Sequence, residues 1–228
     1  MEVLKFTLSG RTAFFKKPDT NTYVNLTYNH IPRTHLLGIF GSILGYDGYA
    51  QTSKKEFPEF YKKLKDLKIS IVPKEIYFDS KIQRFNNSTG FASNETGGTL
   101  IVREVWLNNP SWDIYVKLDN EEADKIKEFL LRKECEFLPY LGSNDHFANI
   151  SDVSIENFHK TESKIINSIV YEDDVNIKGA RKKIYKEILP IGFNKNKNYI
   201  YERFVCTENQ MSCLKDIYGN EKVNLVFY

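Results

Sequence analysis

Leu4, Phe6 and Leu8 alternate with Lys5 and Thr7, the period-two pattern of a half-buried strand, and Ser9-Gly10-Arg11 ends it. A different period takes over at 31–45, IPRTHLLGIFGSILG. Wound at about 100° per residue, this stretch puts Leu36, Leu37, Ile39, Phe40, Ile43 and Leu44 on one broad face. Gly38, Gly41, Ser42 and Gly45 gather on the other, and Pro32 suits the first turn. Each interior glycine weakens a helix by roughly 1 kcal/mol against alanine. In return, another protein element or a bound molecule can lie directly against the bare face.

A second helix is predicted over 57–67, with Pro58 in its first turn and Phe57, Phe60, Tyr61, Leu64 and Leu67 as its buried stripe. Residues 69–78 read as a strand, with Pro73 marking an edge position or a bulge. Residues 79–99 are polar, contain glycine and have little to bury, as in a functional or disordered insert. Residues 100–107 and 112–118 read as a hairpin turned at Asn108-Asn109-Pro110. Asp119 and Glu122 form a capping box for a helix that buries Ala123, Ile126, Phe129 and Leu130. A short strand over 136–141 ends at Gly142-Ser143-Asn144.

The predicted order over 1–142 is strand, helix, strand, strand, helix, strand. The predicted class is therefore α+β, with a ferredoxin-like (RRM-like) βαββαβ core over 1–150. Such a sheet can leave one face open, and RNA-recognition folds use that arrangement among many others. Residues 151–228 read as a β-rich C-terminal subdomain with strands at 164–171, 183–191, 199–207 and 222–228.

Composition narrows the chemistry. The 228 residues are 41% hydrophobic and 27% charged, with a net charge of +2, so any nucleic-acid role must rest on local patches. The N-terminus has no signal-peptide pattern, and no run approaches the ~18 apolar residues of a membrane span. A cytoplasmic protein with no membrane partner is expected. Cys135, Cys206 and Cys213 contain no C-x-x-C pair and read as free thiols. The four histidines show no ligand spacing with them, so neither metal nor cofactor is expected.

Two local patterns point to nucleic acid. Residues 12–30 interleave Phe14, Phe15, Tyr23 and Tyr28 with Lys16 and Lys17, which suits stacking on bases and pairing with phosphates, or a solvated loop. Pro32-Arg33-Thr34-His35 opens a helix whose free N–H groups favour phosphate, and Arg33 adds a two-pronged donor. In the insert, Lys81, Arg84 and Phe85 could reach a nucleic acid from a hairpin or a loop. No phosphate-binding loop, dinucleotide fingerprint, zincin or serine-hydrolase motif occurs. A metal-free acid–base site would draw on His30, His35, Tyr46 and Lys117.

The strand ending in Gly10, then Ala13-Phe14-Phe15-Lys16-Lys17-Pro18, then 31–45, resembles the CRISPR-associated Cas-five family. So does Leu138-Pro139-Tyr140-Leu141-Gly142-Ser143-Asn144, where the family has Tyr-Leu-Gly after its last core strand. The style is similar to type I-B systems. The resemblance implies a RAMP-superfamily subunit of a Cascade complex in antiviral defence, holding the 5′ handle of the CRISPR RNA. It implies contacts with the large subunit and the repeated backbone subunit, with target DNA nearby through the complex. It also implies a thumb between the second and third core strands, where 79–99 lies. Arg11, Lys16, Lys17, Tyr28, Asn29, Arg33, His35, Ser42, Tyr46, Lys81, Arg84 and Phe85 are then the RNA-binding candidates. A minority of the family cleaves precursor RNA with a Tyr, Lys and His set, for which Tyr46, Lys117 and His35 stand here. Lys117 is followed by Leu118 and not by His, which favours a non-catalytic binder; a metal-independent endoribonuclease is the alternative.

Overall fold

The computed structural model describes residues 1–18, 23–53, 55–87, 100–179 and 182–228. Along the chain these form β1 (Glu2–Ser9), β2 (Thr12–Ala13), α1 (Arg33–Leu44), α2 (Glu59–Leu64), β3 (Ile69–Pro73), β4 (Ser80–Asn87), β5 (Leu100–Asn108), β6 (Ser111–Lys117), α3 (Glu121–Arg132) and β7 (Asn149–Asn157). Four of the strands make an antiparallel sheet in the order β3-β6-β1-β7.

Leu4, Phe6 and Leu8 point to the helical side of this sheet, where they join Leu36, Phe40, Ile43 and Ile126 in the main core. Phe6 and Phe40 meet edge to face at 6.1 Å. Each such fully buried side chain contributes about 1.5–3 kcal/mol. The opposite side is only partly covered. Val3, Tyr115 and Phe158 close over it with Leu225 from the C-terminal segment. Beyond them, Asp113 accepts from Thr7 at 2.8 Å and pairs with Lys5 and Lys74.

Three sequence expectations are corrected. First, residues 100–107 and 112–118 do not pair with each other. β6 buries both faces, with Trp112, Ile114 and Val116 on one side and Asp113 and Tyr115 on the other, so it lies centrally between β1 and β3. β5 instead pairs with β4 from Ser80↔Leu107 to Asn87↔Leu100 and with β2, in a separate three-stranded sheet. Asn109 turns the chain at φ 44, and Pro110, lacking an N–H, breaks the ladder between β5 and β6. Second, 136–141 is not a strand. Its Glu136 and Phe137 N–H groups donate to the Ile43 and Ser42 carbonyls and close the end of α1. The fourth core strand is β7, so the domain boundary expected at 150 falls inside a strand paired with β1. Third, Asn120, not Asp119, caps α3, accepting from Ala123 N–H at 3.0 Å, while Asp119 pairs with Lys117.

The remaining strands are β8 (His159–Thr161), β9 (Val170–Tyr171), β10 (Val175–Ile177), β11 (Ile184–Phe193), β12 (Tyr199–Thr207), β13 (Met211–Cys213), β14 (Ile217–Gly219) and β15 (Asn224–Leu225). The 183–191 and 199–207 expectations survive as the long β11–β12 pair. The 164–171 and 222–228 expectations shrink to two residues each. β11 packs on α1, and Leu189, Phe204 and Cys206 join the main core. The exposed edge of β3 is closed by backbone pairs of Ile69 with Tyr228 and of Ile71 with Ile169.

Candidate nucleic-acid interface

The glycine face of α1 divides into a covered part and an open part. A Cβ on Gly41 would lie 2.5 Å from Phe60 Cβ, so α2 covers that position. One on Gly45 would lie 2.8 Å from Glu136 Cγ, so the 136–141 loop covers that one. A Cβ on Gly38 would meet nothing within 4 Å. Gly38 floors a groove of about 580 Å³, walled by Tyr49, Phe193 and Tyr199 on one side and by Phe137, Leu138 and Tyr140 on the other. Thr34, His35, Ser42 and Tyr46 also line it. Ser42 Oγ donates back to Ile39 O at 2.8 Å. Thr34 Oγ1 and His35 Nδ1 are buried without a hydrogen-bond partner among the described residues. Burial lowers the His35 pKa to about 4, so its imidazole is neutral at pH 7.

Much of the cationic aromatic segment is committed to the protein itself, which corrects its expected role. Lys17 pairs with Glu187 at 3.3 Å and sits 5.1 Å above the Tyr28 ring. The same Glu187 carboxylate accepts from Asn29 and His30 N–H, so an internal anion already engages Lys17 and the backbone just ahead of α1. The Asn29 amide is locked to Phe78 in both directions, donating to its carbonyl at 2.8 Å and accepting from its N–H at 2.9 Å. Arg33 donates to Lys65 O at 2.6 Å, Leu67 O at 2.9 Å and Ile191 O at 3.3 Å. Burial holds its pKa below the usual arginine range. Arg33 thus ties the end of α2 to β11, with three of its five N–H donors spent on backbone carbonyls. Arg33→Ala should cost about 2–3 kcal/mol in urea unfolding by orphaning these carbonyls, while the RNA affinity of the folded fraction stays unchanged. Of the segment's cations, Arg11 and Lys16 are exposed. Four residues of the expected segment, 19–22, lie outside the described residues.

The expected insert is in part a hairpin. β4 carries Lys81, Arg84 and Phe85; the stretch 88–99 lies outside the described residues. The register places Arg84 directly opposite Arg103, on the face that also carries the exposed Ile82 and Ile101. Like charges facing each other across a ladder repel. Neither guanidinium has a carboxylate partner among the described residues. On the other face Lys81 lies opposite Trp106, whose ring is 6.3 Å from Phe85 and 4.6 Å from His146.

The acid–base set is not brought together. His35 and Tyr46 line the groove, but Lys117 does not, and it pairs with Asp119 at 3.0 Å. Tyr46 OH donates to Glu122 at 2.6 Å, and Lys63 sits 4.0 Å above its ring. Burial and the Glu122 hydrogen bond raise the Tyr46 pKa, the wrong direction for a base. His30 Nε2–H donates to Ile76 O and its Nδ1 accepts from Trp112 Nε1–H inside the core. Among the described residues no group of three or more His, Cys, Asp or Glu could hold a metal, and no helix is long and apolar enough to cross a membrane.

Sequence reasoning missed Arg103 because 100–107 was placed in the core sheet, where it has no cross-strand arginine. It missed Thr34, Tyr49, Phe137 and Tyr199 because the groove joins four separated stretches. The two stretches that carried the family resemblance do meet: Phe14 N–H donates to Leu141 O at 3.0 Å, and Gly10 lies against Leu141.

No protein-family model matches the sequence, and no curated protein matches it. Solved structures do resemble the fold. A CRISPR protein from Archaeoglobus fulgidus superposes with a TM-score of 0.57 at 13% identity, over 99% of this chain and 98% of the other. A chain of a CRISPR RNA-guided surveillance complex gives a TM-score of 0.54 at 14% identity, over 91% of each. The chain therefore has a strand-rich α+β fold shared with solved CRISPR proteins.

Proposed function

We propose that this chain is a non-catalytic Cas-five-type subunit of a type I Cascade complex. In this reading it binds the 5′ handle of the CRISPR RNA and joins the large subunit to the backbone subunits. The observation that carries the reading is the β4–β5 hairpin, in a sheet separate from the core, which presents Arg84 and Arg103 side by side with no carboxylate partner among the described residues. A phosphate between them would remove their repulsion and accept from both forks. The rest of the molecule is consistent with it. The sheet order β3-β6-β1-β7 supports a ferredoxin-like reading of the core, and the hairpin lies between β3 and β6, where the family's thumb would stand. The fold is shared with a chain of an RNA-guided surveillance complex.

The separation of Lys117 from His35 and Tyr46 favours binding over cleavage. Repeat RNA should remain intact after incubation with the purified chain in chelator. A specific product abolished by Tyr46→Phe would install the endoribonuclease reading instead.

Binding is tested with labelled CRISPR repeat RNA by fluorescence anisotropy across a salt series. Arg84→Ala with Arg103→Ala should weaken binding about tenfold or more and reduce the slope of log K against log salt by about 1–2. Unchanged affinity and slope would remove the hairpin as the binding element.

A further inference from the structure

We infer that the groove over Gly38 is a pocket for one unstacked nucleobase of a single-stranded RNA, whose backbone leaves past Phe193 toward Lys65 and Lys195. The inference rests on the RNA-binding reading above and adds a site that the hairpin does not include.

Four features converge on it. The groove's volume of about 580 Å³ suits a small flat ligand, since such sites span about 300–1,000 Å³. Its walls are aromatic, and Tyr49, Phe137 and Tyr140 are exposed there with no apolar cover. Bases stack on such rings whatever their identity. Two unspent polar atoms lie just beneath its lining: Thr34 Oγ1 and His35 Nδ1 are buried and have no partner among the described residues. Turned toward the groove, a neutral imidazole nitrogen and a hydroxyl would be the acceptor and donor that a base edge uses. An apolar side chain from a partner protein would leave both orphaned, at a desolvation cost. Finally, the groove shares Phe193 with a second cleft of about 280 Å³ lined by Lys62, Lys65 and Lys195. Lys65 and Lys195 have no carboxylate partner among the described residues, so phosphate charge is complemented next to the aromatic walls. The glycine follows from the same geometry. A side chain at position 38 would fold without conflict but would stand where the base must lie.

The test separates folding from binding. Gly38→Leu adds atoms to open space and improves helix propensity, so its melting temperature should match or exceed the wild type. Its affinity for single-stranded repeat RNA should fall about 5- to 100-fold, the range for losing one stacked base. Thr34→Val removes the orphaned hydroxyl; it should also keep or gain stability while binding the RNA several-fold more weakly. In a series of RNAs each carrying one abasic position, one position should weaken wild-type binding and cost nothing further in Gly38→Leu. If Gly38→Leu binds repeat RNA like the wild type, the pocket is overturned. If it keeps RNA but loses a partner subunit in pull-down, the groove is a protein socket and the inference fails equally. Loss in the Arg84/Arg103 variant beside full binding in Gly38→Leu would overturn the pocket alone. A wild-type chain that binds no repeat RNA would overturn the proposed function itself.

Discussion

Between pH 6.5 and 4.5 the protein is expected to lose on the order of 4 kcal/mol of stability through two imidazoles that fold neutral. His30 and His35 both have pKa values lowered from 6.5 to about 4 by burial. His30 is the stronger case. Its two ring nitrogens face Ile76 O and Trp112 Nε1–H, and the rings of Phe78 and Tyr185 stand edge-on at 5.6 and 5.3 Å. That pairing fixes a neutral ring with one donor and one acceptor. His35 contributes less, because part of its surface faces the groove. The sign follows from proton counts. The unfolded chain takes up protons below 6.5 and the folded chain does not until about 4, so acid favours unfolding throughout this window. The carboxylates of Glu56, Glu59, Glu121 and Glu172, lowered from 4.5 by lysine partners, act only below it. Urea midpoints at pH 7, 5.5 and 4.5 measure the loss. A flat profile would mean that the two rings protonate in place. His30→Phe should start less stable, since it drops two hydrogen bonds, but should show less than half the pH dependence.

How far the sequence reaches is shown by the elements on either side of Pro110. The period of residues 4–8 and 36–44 identifies a strand and a helix without ambiguity, and both form as expected. Each carries its partner information within itself, because one face is apolar. For 100–107 and 112–118 the local pattern is equally strand-like, yet pairing depends on which strand needs two neighbours. That need arises from burial of Asp113 and Tyr115 beneath Lys74, Lys5, Phe158 and Leu225, contacts made by residues far along the chain. Residues 136–141 mislead for a related reason: their apolar side chains face the groove and the β1–β2 corner, and their N–H groups serve the end of α1.

The site was legible to the same limited degree. The glycine face of α1 correctly signalled close approach, and only the packing of Phe60 and Glu136 shows which glycines the protein itself approaches. Arg33 and Lys17 look like phosphate ligands when their charge alone is considered. Their real partners are Glu187 for Lys17 and the carbonyls of Lys65, Leu67 and Ile191 for Arg33, all outside their own stretch of sequence. Positive charge in a sequence therefore locates RNA only after the internal acceptors have been subtracted. Arg84, Arg103, Lys65 and Lys195 pass that subtraction, alongside other exposed cations such as Arg11, Lys16 and Lys81.

Among the described glycines, Gly142→Ala should be the most damaging alanine substitution, costing about 4 kcal/mol or more. Gly142 has φ 97, a conformation that an L side chain adopts only with strain. Its new Cβ would also lie 1.9 Å from Phe14 O and 2.6 Å from Phe14 C. Those are backbone atoms held by the Phe14 N–H to Leu141 O bond, so neither partner can give way without opening the seam between the β1–β2 corner and the 138–142 loop. For a chain of this length the melting temperature should fall by about 8–16 °C. The same substitution at Gly38, which faces open space, should raise stability by up to about 1 kcal/mol. Because Leu138, Tyr140 and Gly142 form one wall of the groove, loosening the seam should also weaken RNA binding at temperatures where the variant is still folded. A variant with wild-type melting temperature would show that the loop can move away from Phe14. In that case the wall it forms is not rigid, and the groove's shape could not set which base it accepts.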